Sequence, residues 1–174
     1  TNTDRHDDAA LAELLKNADI RVLRVDGSQH MALGGEDVEK LIRTPEISMA
    51  ASDVASCPSV RRALVALQQK IAAGCDVVMD GRDIGTRVLP DADYKFFLTA
   101  SDKVRAQRRY DELKAKGESV TLQEVLEDVR RRDEQDTTRA ESPLTIADDA
   151  TEVETDDLGI DEVVTVLMAL MGRF

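Results

Sequence analysis

Val77-Val78-Met79-Asp80-Gly81-Arg82-Asp83, residues 77–83, sets three apolar side chains directly before two carboxylates, a glycine and an arginine. A short, continuous apolar run reads as a buried strand, the kind found in a parallel sheet covered on both faces. In an open α/β sheet, ligands bind beyond the carboxyl ends of the strands. The stretch therefore predicts a fold class and also the end of the sheet where chemistry belongs. Asp80, first out of the strand, is placed to hold Mg²⁺ through water. Arg82 can clamp a phosphate, and Asp83 can accept hydrogen bonds from an amino group or a hydroxyl. A structural salt bridge in a tight turn is the competing reading.

Working outward, the neighbouring segments alternate between helix and strand. Upstream, Ser59 is expected to cap a helix with Val60, Leu64, Leu67 and Ile71 on one face and Gly74 at its end. Thr44-Pro45-Glu46 starts another, with a capping hydroxyl, Pro at the first helical position and an acid in the first turn. That helix runs through Ile47, Ala50, Ala51 and Val54 and must stop before Pro58. Asp7 or Asp8 caps a first helix with Leu11, Leu14 and Leu15 inward. Between them, Ile20–Val25 and His30–Leu33 read as two strands around the turn Asp26-Gly27, ended by Gly34-Gly35. They form a small β insertion outside the main sheet, and the lone His30 reads as a surface strand residue. Downstream, Tyr94–Leu98 is a second apolar strand. Ser101 opens a helix that Gly117 closes, and Thr121–Glu124 is a capping box for a long helix. Val153 centres a last strand, and Ile160–Leu170 is a closing amphipathic helix. Strands separated by helices predict an α/β fold with a mainly parallel sheet.

Composition narrows the function. At 174 residues the chain has the size of a single domain. Its net charge of −12 argues against a nucleic-acid partner, because phosphate backbones are held by an excess of Lys and Arg. A small anion can still bind if arginines converge on one spot. No stretch approaches the roughly 18 apolar residues of a membrane helix, and no signal peptide opens the chain, so the expectation is a cytoplasmic protein without a membrane partner. Cys57 and Cys75 lie far apart and both read as small buried residues.

The helix after the capping box carries the strongest signal of a site. Leu122, Val125, Leu126 and Val129 mark its inward face, and the same helical period continues onto Arg132, Asp133, Asp136 and Arg139. The stripe turns from aliphatic to charged without changing its angle. A solvated charge run would lie on the opposite face. Positive, negative and positive groups at 132, 136 and 139 suit a ligand with one anionic end and hydroxyls beside it. A buried ion network is the alternative, at a desolvation cost of several kcal/mol. Arg61 and Arg62 sit in the first turn of their helix, where positive charge opposes the macrodipole. Arg105, Arg108 and Arg109 form a basic stripe on the Ser101 helix, partly explained by a salt bridge to Glu112.

The stretches VVMDGRDIGTRVLPDADYKFFLTAS, RAQRRYDEL and RRRDEQDTTRAESPLTIADDA, with GGEDVEKLIRTPEISMAASDVASCPSVRRAL upstream, resemble bacterial cytidylate kinases over nearly the whole chain. The resemblance implies a P-loop nucleoside-monophosphate-kinase-like fold in one kinase domain over residues 1–174. Within it, residues 18–58 would be the monophosphate-binding insertion and 101–136 the lid and the helix leading from it. It implies phosphoryl transfer from ATP, with Mg²⁺, to CMP or dCMP, and a monomer as the full-length enzyme. By motif, cytosine contacts would fall on Ser52, Arg61 and Asp83, and contacts to the acceptor's ribose and phosphate on Arg82, Arg132, Asp136 and Arg139. Arg82, Arg132 and Arg139 would be the catalytic arginines and Asp80 the metal contact. Arg105, Arg108 and Arg109 would serve the ATP side of the lid.

Two departures from the family pattern stand out. No Gly-x-x-x-x-Gly-Lys-Ser/Thr pattern for the ATP phosphates occurs in the sequence. The expectation is that the P-loop strand is absent from this chain, which carries the acceptor site and would be inactive alone. That strand would lie between Val77–Met79 and Tyr94–Leu98, so the gap would have to be filled by strands closing up, by another copy or by further residues. A catalytically silent cytidine-nucleotide-binding module is the alternative function. The second departure is Gly159, where the family commonly has a capping Ser.

Overall fold

In the computed structural model, which describes residues 3–55, 57–138 and 143–172, Asp7 caps the first helix, α1 (Asp8–Lys16). Its Oδ1 accepts from the Ala10 N–H at 3.0 Å. The chain divides into two units, Thr1–Asp76 and Val77–Phe174.

In the first unit, α1 is followed by an antiparallel sheet of β1 (Ile20–Val25), β2 (Ser28–Leu33) and β3 (Glu36–Asp37), in that order. Val25 faces Ser28 across the hairpin, and Asp26 and Gly27 both take positive φ, 50° and 83°. Two left-handed residues make the tight turn whose twist matches the flanking strands. His30 Nδ1 meets Asp37 Oδ2 at 2.6 Å, so His30 has a partner on the neighbouring strand.

Thr44 Oγ1 accepts from the Ile47 N–H at 3.2 Å and opens α2 (Pro45–Ala55). The next helix, α3, spans Pro58–Ala72, and here the expected cap is corrected. Cys57 is its cap residue, makes no side-chain capping bond, and Pro58 takes the first helical position. Ser59 lies inside the helix instead. Its hydroxyl donates to Asp8 Oδ1 at 2.6 Å and its N–H to the same oxygen at 2.9 Å. An acid from α1 thus caps α3, which places negative charge where the macrodipole favours it. The bonds from the Ser59 hydroxyl and amide, with the nearby charge of Arg62, hold the Asp8 carboxyl below the usual carboxylate range. Leu11, Cys57 and Val60 form the buried centre of this unit, with Leu15, Val54 and Leu64 packed against it. Cys75 is exposed, contrary to its reading as a core residue.

In the second unit Val77–Met79 is not a strand, which overturns the reading of that run. Val78 is fully exposed, while Val77 and Met79 are half-buried. A strand is stabilised by the edge it pairs with, and apolar residues alone do not supply one. Among the described residues, β4 (Phe96–Thr99) pairs with β5 (Thr151–Glu154) and with no other strand. That pair is parallel, with Phe96 opposite Thr151 and Thr99 opposite Glu154. Val77–Met79 and β4 therefore form no strand pair. After Asp83 the chain makes a π-helical turn, Ile84–Val88, in which the Arg87 and Val88 N–H groups share the Asp83 carbonyl at 2.9 and 3.2 Å.

Ser101 caps α4 (Asp102–Ala115), and Gly117, at φ 80°, follows its end. The capping box of α5 (Leu122–Thr138) forms as expected. Thr121 donates N–H and hydroxyl to Glu124 Oε2 at 2.8 and 2.7 Å, and Glu124 N–H returns to Thr121 Oγ1 at 3.2 Å. Ala106 of α4, Val125 of α5, Val88 and Val153 are buried. The last helix, α6 (Ile160–Leu170), starts at Gly159, whose N–H donates to Glu162 Oε2 at 2.7 Å. An acid in the first turn thus supplies part of what a capping serine would. Among the described residues no helix is long and apolar enough to cross a membrane.

Candidate functional site

The loop Asp80–Asp83 is shaped by a close approach at Gly81. A Cβ there would lie 2.9 Å from Ile84 Cγ1, so any larger residue has to displace the Ile84 side chain. On either side the chain presents different chemistry. Asp80 and Arg82 are exposed, whereas Asp83 is 6% exposed with its carbonyl committed to the turn. A residue-by-residue change from solvent to interior is what a loop needs to hold one group rigidly and leave its neighbours open to a ligand.

Fifty-four residues on, α5 delivers Asp136 to this loop. Arg82 Nε donates to Asp136 Oδ2 at 2.7 Å. The Asp136 backbone carbonyl in turn accepts from the Leu144 N–H at 2.8 Å. Two residues read from separate sequence signals, one after the apolar run and one on the charged stripe, are thus brought together. Arg132, a turn earlier on α5, is exposed and enters no ion pair among the described residues. Asp133, the other member of the stripe, is held by Arg105, whose Nη1 and Nη2 donate to its two oxygens at 2.8 and 2.7 Å. Arg139 lies outside the described residues, as does the side chain of Ser52 on α2. Arg61 is half-buried in the first turn of α3. Ser52 and Arg61 belong to the first unit and Asp83 to the second.

The basic stripe of α4 is engaged within the protein. Arg105 Nε donates to the Ala100 carbonyl at 2.9 Å as well as holding Asp133. Asp133 is also what raises the Arg105 guanidinium further above its ordinary value, ahead of the opposing effect of burial. Arg108 donates to Thr155 Oγ1 at 3.2 Å and to the Leu158 carbonyl at 3.0 Å. Arg109 pairs with Glu112 at 2.7 Å along its own helix, as the spacing suggests.

Sequence reading does not anticipate the clasp between the two helices. Asp102 and Arg105 of α4 meet Arg130 and Asp133 of α5, acid to base and base to acid. The signal is present as two i, i+3 pairs of opposite order, but such pairs usually serve their own helix. Among the described residues no group of three His, Cys, Asp or Glu side chains is arranged to hold a metal ion. A lone exposed carboxylate such as Asp80 suits a Mg²⁺ that arrives on phosphates and keeps most of its waters.

The family model described as "Cytidylate kinase" matches residues 1–173. The protein named "Cytidylate kinase" from Caldicellulosiruptor bescii is 46% identical over 172 residues, which are 99% of this chain and 76% of that protein. Its namesake from Carboxydothermus hydrogenoformans is 47% identical over 172 residues, 99% of this chain and 78% of the relative. A third, from Caldanaerobacter subterraneus subsp. tengcongensis, is 50% identical over 163 residues, 94% of this chain and 71% of the relative.

Proposed function

Since this chain belongs to the cytidylate kinase family, and so to the nucleoside monophosphate kinases, we propose that its residues serve the transfer of the γ-phosphate of ATP to CMP or dCMP. The observation that carries the assignment is the Arg82–Asp136 contact at 2.7 Å. It joins a guanidinium suited to the acceptor's phosphate to a carboxylate suited to the ribose hydroxyls. Arg82, Arg132 and Arg139 hold the acceptor oxygen in line and spread the charge that develops on it. Ser52, Arg61 and Asp83 read the cytosine. Little covalent chemistry is asked of the protein, and positioning with charge neutralisation supplies the rate. The acceptor is already an anion, so no general base is required. Asp80 would hold Mg²⁺ through water, and the ion supplies neutralisation of phosphate charge when bound.

These 174 residues contain no Gly-x-x-x-x-Gly-Lys-Ser/Thr pattern, so what is proposed for them is the acceptor's half of the reaction. That observation also keeps a second reading in play, a cytidine-nucleotide-binding module without turnover. Calorimetric titration tests the shared premise: CMP should bind in preference to AMP, and equal or tighter AMP binding overturns both. A coupled assay with ATP, Mg²⁺ and CMP should show no appreciable turnover by these 174 residues on either reading, and turnover near the about 1–100 s⁻¹ of kinases would overturn both.

A further inference from the structure

The two charged residues of α5 proposed to meet the acceptor, Arg132 and Asp136, flank a third, Asp133, that faces α4. Asp133 is held bidentately by Arg105, at 2.8 and 2.7 Å. The same guanidinium is anchored through Nε to the Ala100 carbonyl, one residue past the end of β4. A fork–fork pair fixes direction as well as distance, because both N–H groups and both oxygens must lie in one plane. A continuous chain of bonds therefore runs from the strand end through Arg105 to the turn of α5 that carries Arg132 and Asp136. A second rung, Arg130 Nε to Asp102 Oδ2 at 2.7 Å, prevents rotation about the first. Ala106 of α4 and Val125 of α5 are buried, and beyond them these ion pairs tie the charged end of α5 to α4.

We propose that Arg105 is a positioning residue for the acceptor's phosphate, acting through Asp133 to set where Arg132 and Asp136 project. The inference rests on the cytidylate-kinase reading above and adds a residue that touches no acceptor atom. It differs from a lid arginine that meets ATP directly, because its guanidinium is occupied on three of its nitrogens by protein oxygens. It also differs from a purely structural ion pair. A pair some two-fifths exposed on each side contributes little to stability, whereas a small displacement of a phosphate-holding arginine is felt strongly in binding.

The test compares the affinities of CMP and cytidine for the full chain, since their ratio isolates what the phosphate contributes. In Arg105→Gln that ratio should fall about three- to tenfold while cytidine affinity stays within about twofold. Asp133→Asn should do the same, Arg105→Lys should recover only part of the ratio, and the exchanged pair Arg105→Asp with Asp133→Arg should recover more than either single change. Arg131→Gln, whose partner Asp128 lies on its own helix, should leave the ratio unchanged. An unchanged ratio in folded Arg105→Gln and Asp133→Asn, with CMP still preferred to AMP, overturns the positioning role alone. Equal loss of cytidine and CMP affinity also overturns it, because a general loosening would act on both. If the wild-type chain does not prefer CMP to AMP, it is the functional reading that fails.

Discussion

A guanidinium offers five N–H donors, and Arg82 is engaged by Asp136 through Nε. The Arg82 side chain is 49% exposed and that of Asp136 20%, so solvent screens the pair and its worth to stability is about 0–1 kcal/mol. A phosphate oxygen bound to the same guanidinium makes a charge-assisted bond worth about 1.5–3 kcal/mol. These magnitudes separate the roles of one side chain. Arg82→Gln should leave thermal unfolding within a few degrees of wild type and weaken CMP binding by about ten- to a hundredfold. Differential scanning fluorimetry with calorimetric titration of the same preparation checks both. A large loss of stability with CMP affinity intact would make Arg82 a structural residue and leave the acceptor phosphate without its first contact.

Among the elements, legibility follows the range of the interaction. Thr121 and Glu124 are three residues apart and cap α5 with each other, so the sequence contains the whole interaction. The hairpin turn at Asp26-Gly27 is equally local, and the stripe on α5 singles out Asp136, which meets Arg82. Ser59 does not take its expected capping role because its partner, Asp8, lies 51 residues away on another helix. Val77–Met79 departs from expectation for a related reason, since strand formation depends on an edge that no local pattern specifies. The clasp between α4 and α5 is hidden in the same way, because Arg105 and Asp133 stand 28 residues apart. The Asp8 contact carries its own pH signature. Its carboxyl is held below the usual carboxylate range in the fold, so the bond's contribution is present above the unfolded value of about 3.9 and is lost as pH falls through the folded value. Asp8→Asn removes that proton linkage. Its unfolding temperature should therefore change less between about pH 5 and pH 2 than the wild type's. Parallel curves for the two proteins would show that Asp8 is no better held in the fold than in the unfolded chain.

For the molecule as a whole, charge works against the ligand proposed for it. Thirty-five acids against 23 Lys and Arg give a net charge of −12, and a nucleotide monophosphate is an anion. Long-range attraction cannot supply the affinity, so it has to come from arginines converging at short range, where screening by salt is weak. Binding of that kind is selective for the state in which the contacts exist. A ligand that binds only the folded chain stabilises it by RT ln(1 + [L]/Kd), about 2.7 kcal/mol at a hundredfold excess over Kd. For a chain of this length each kcal/mol raises the unfolding temperature by about 2–4 °C. CMP at a hundredfold excess over its measured Kd should therefore raise the unfolding temperature by about 5–11 °C, and the same concentration of AMP by clearly less. Added salt at about 0.15 M should leave most of the CMP shift in place, because the contacts that produce it lie within a Debye length. A shift that is equal for CMP and AMP, or that disappears with salt, would mean that the nucleotide is held by diffuse charge rather than by the base- and phosphate-reading residues proposed here.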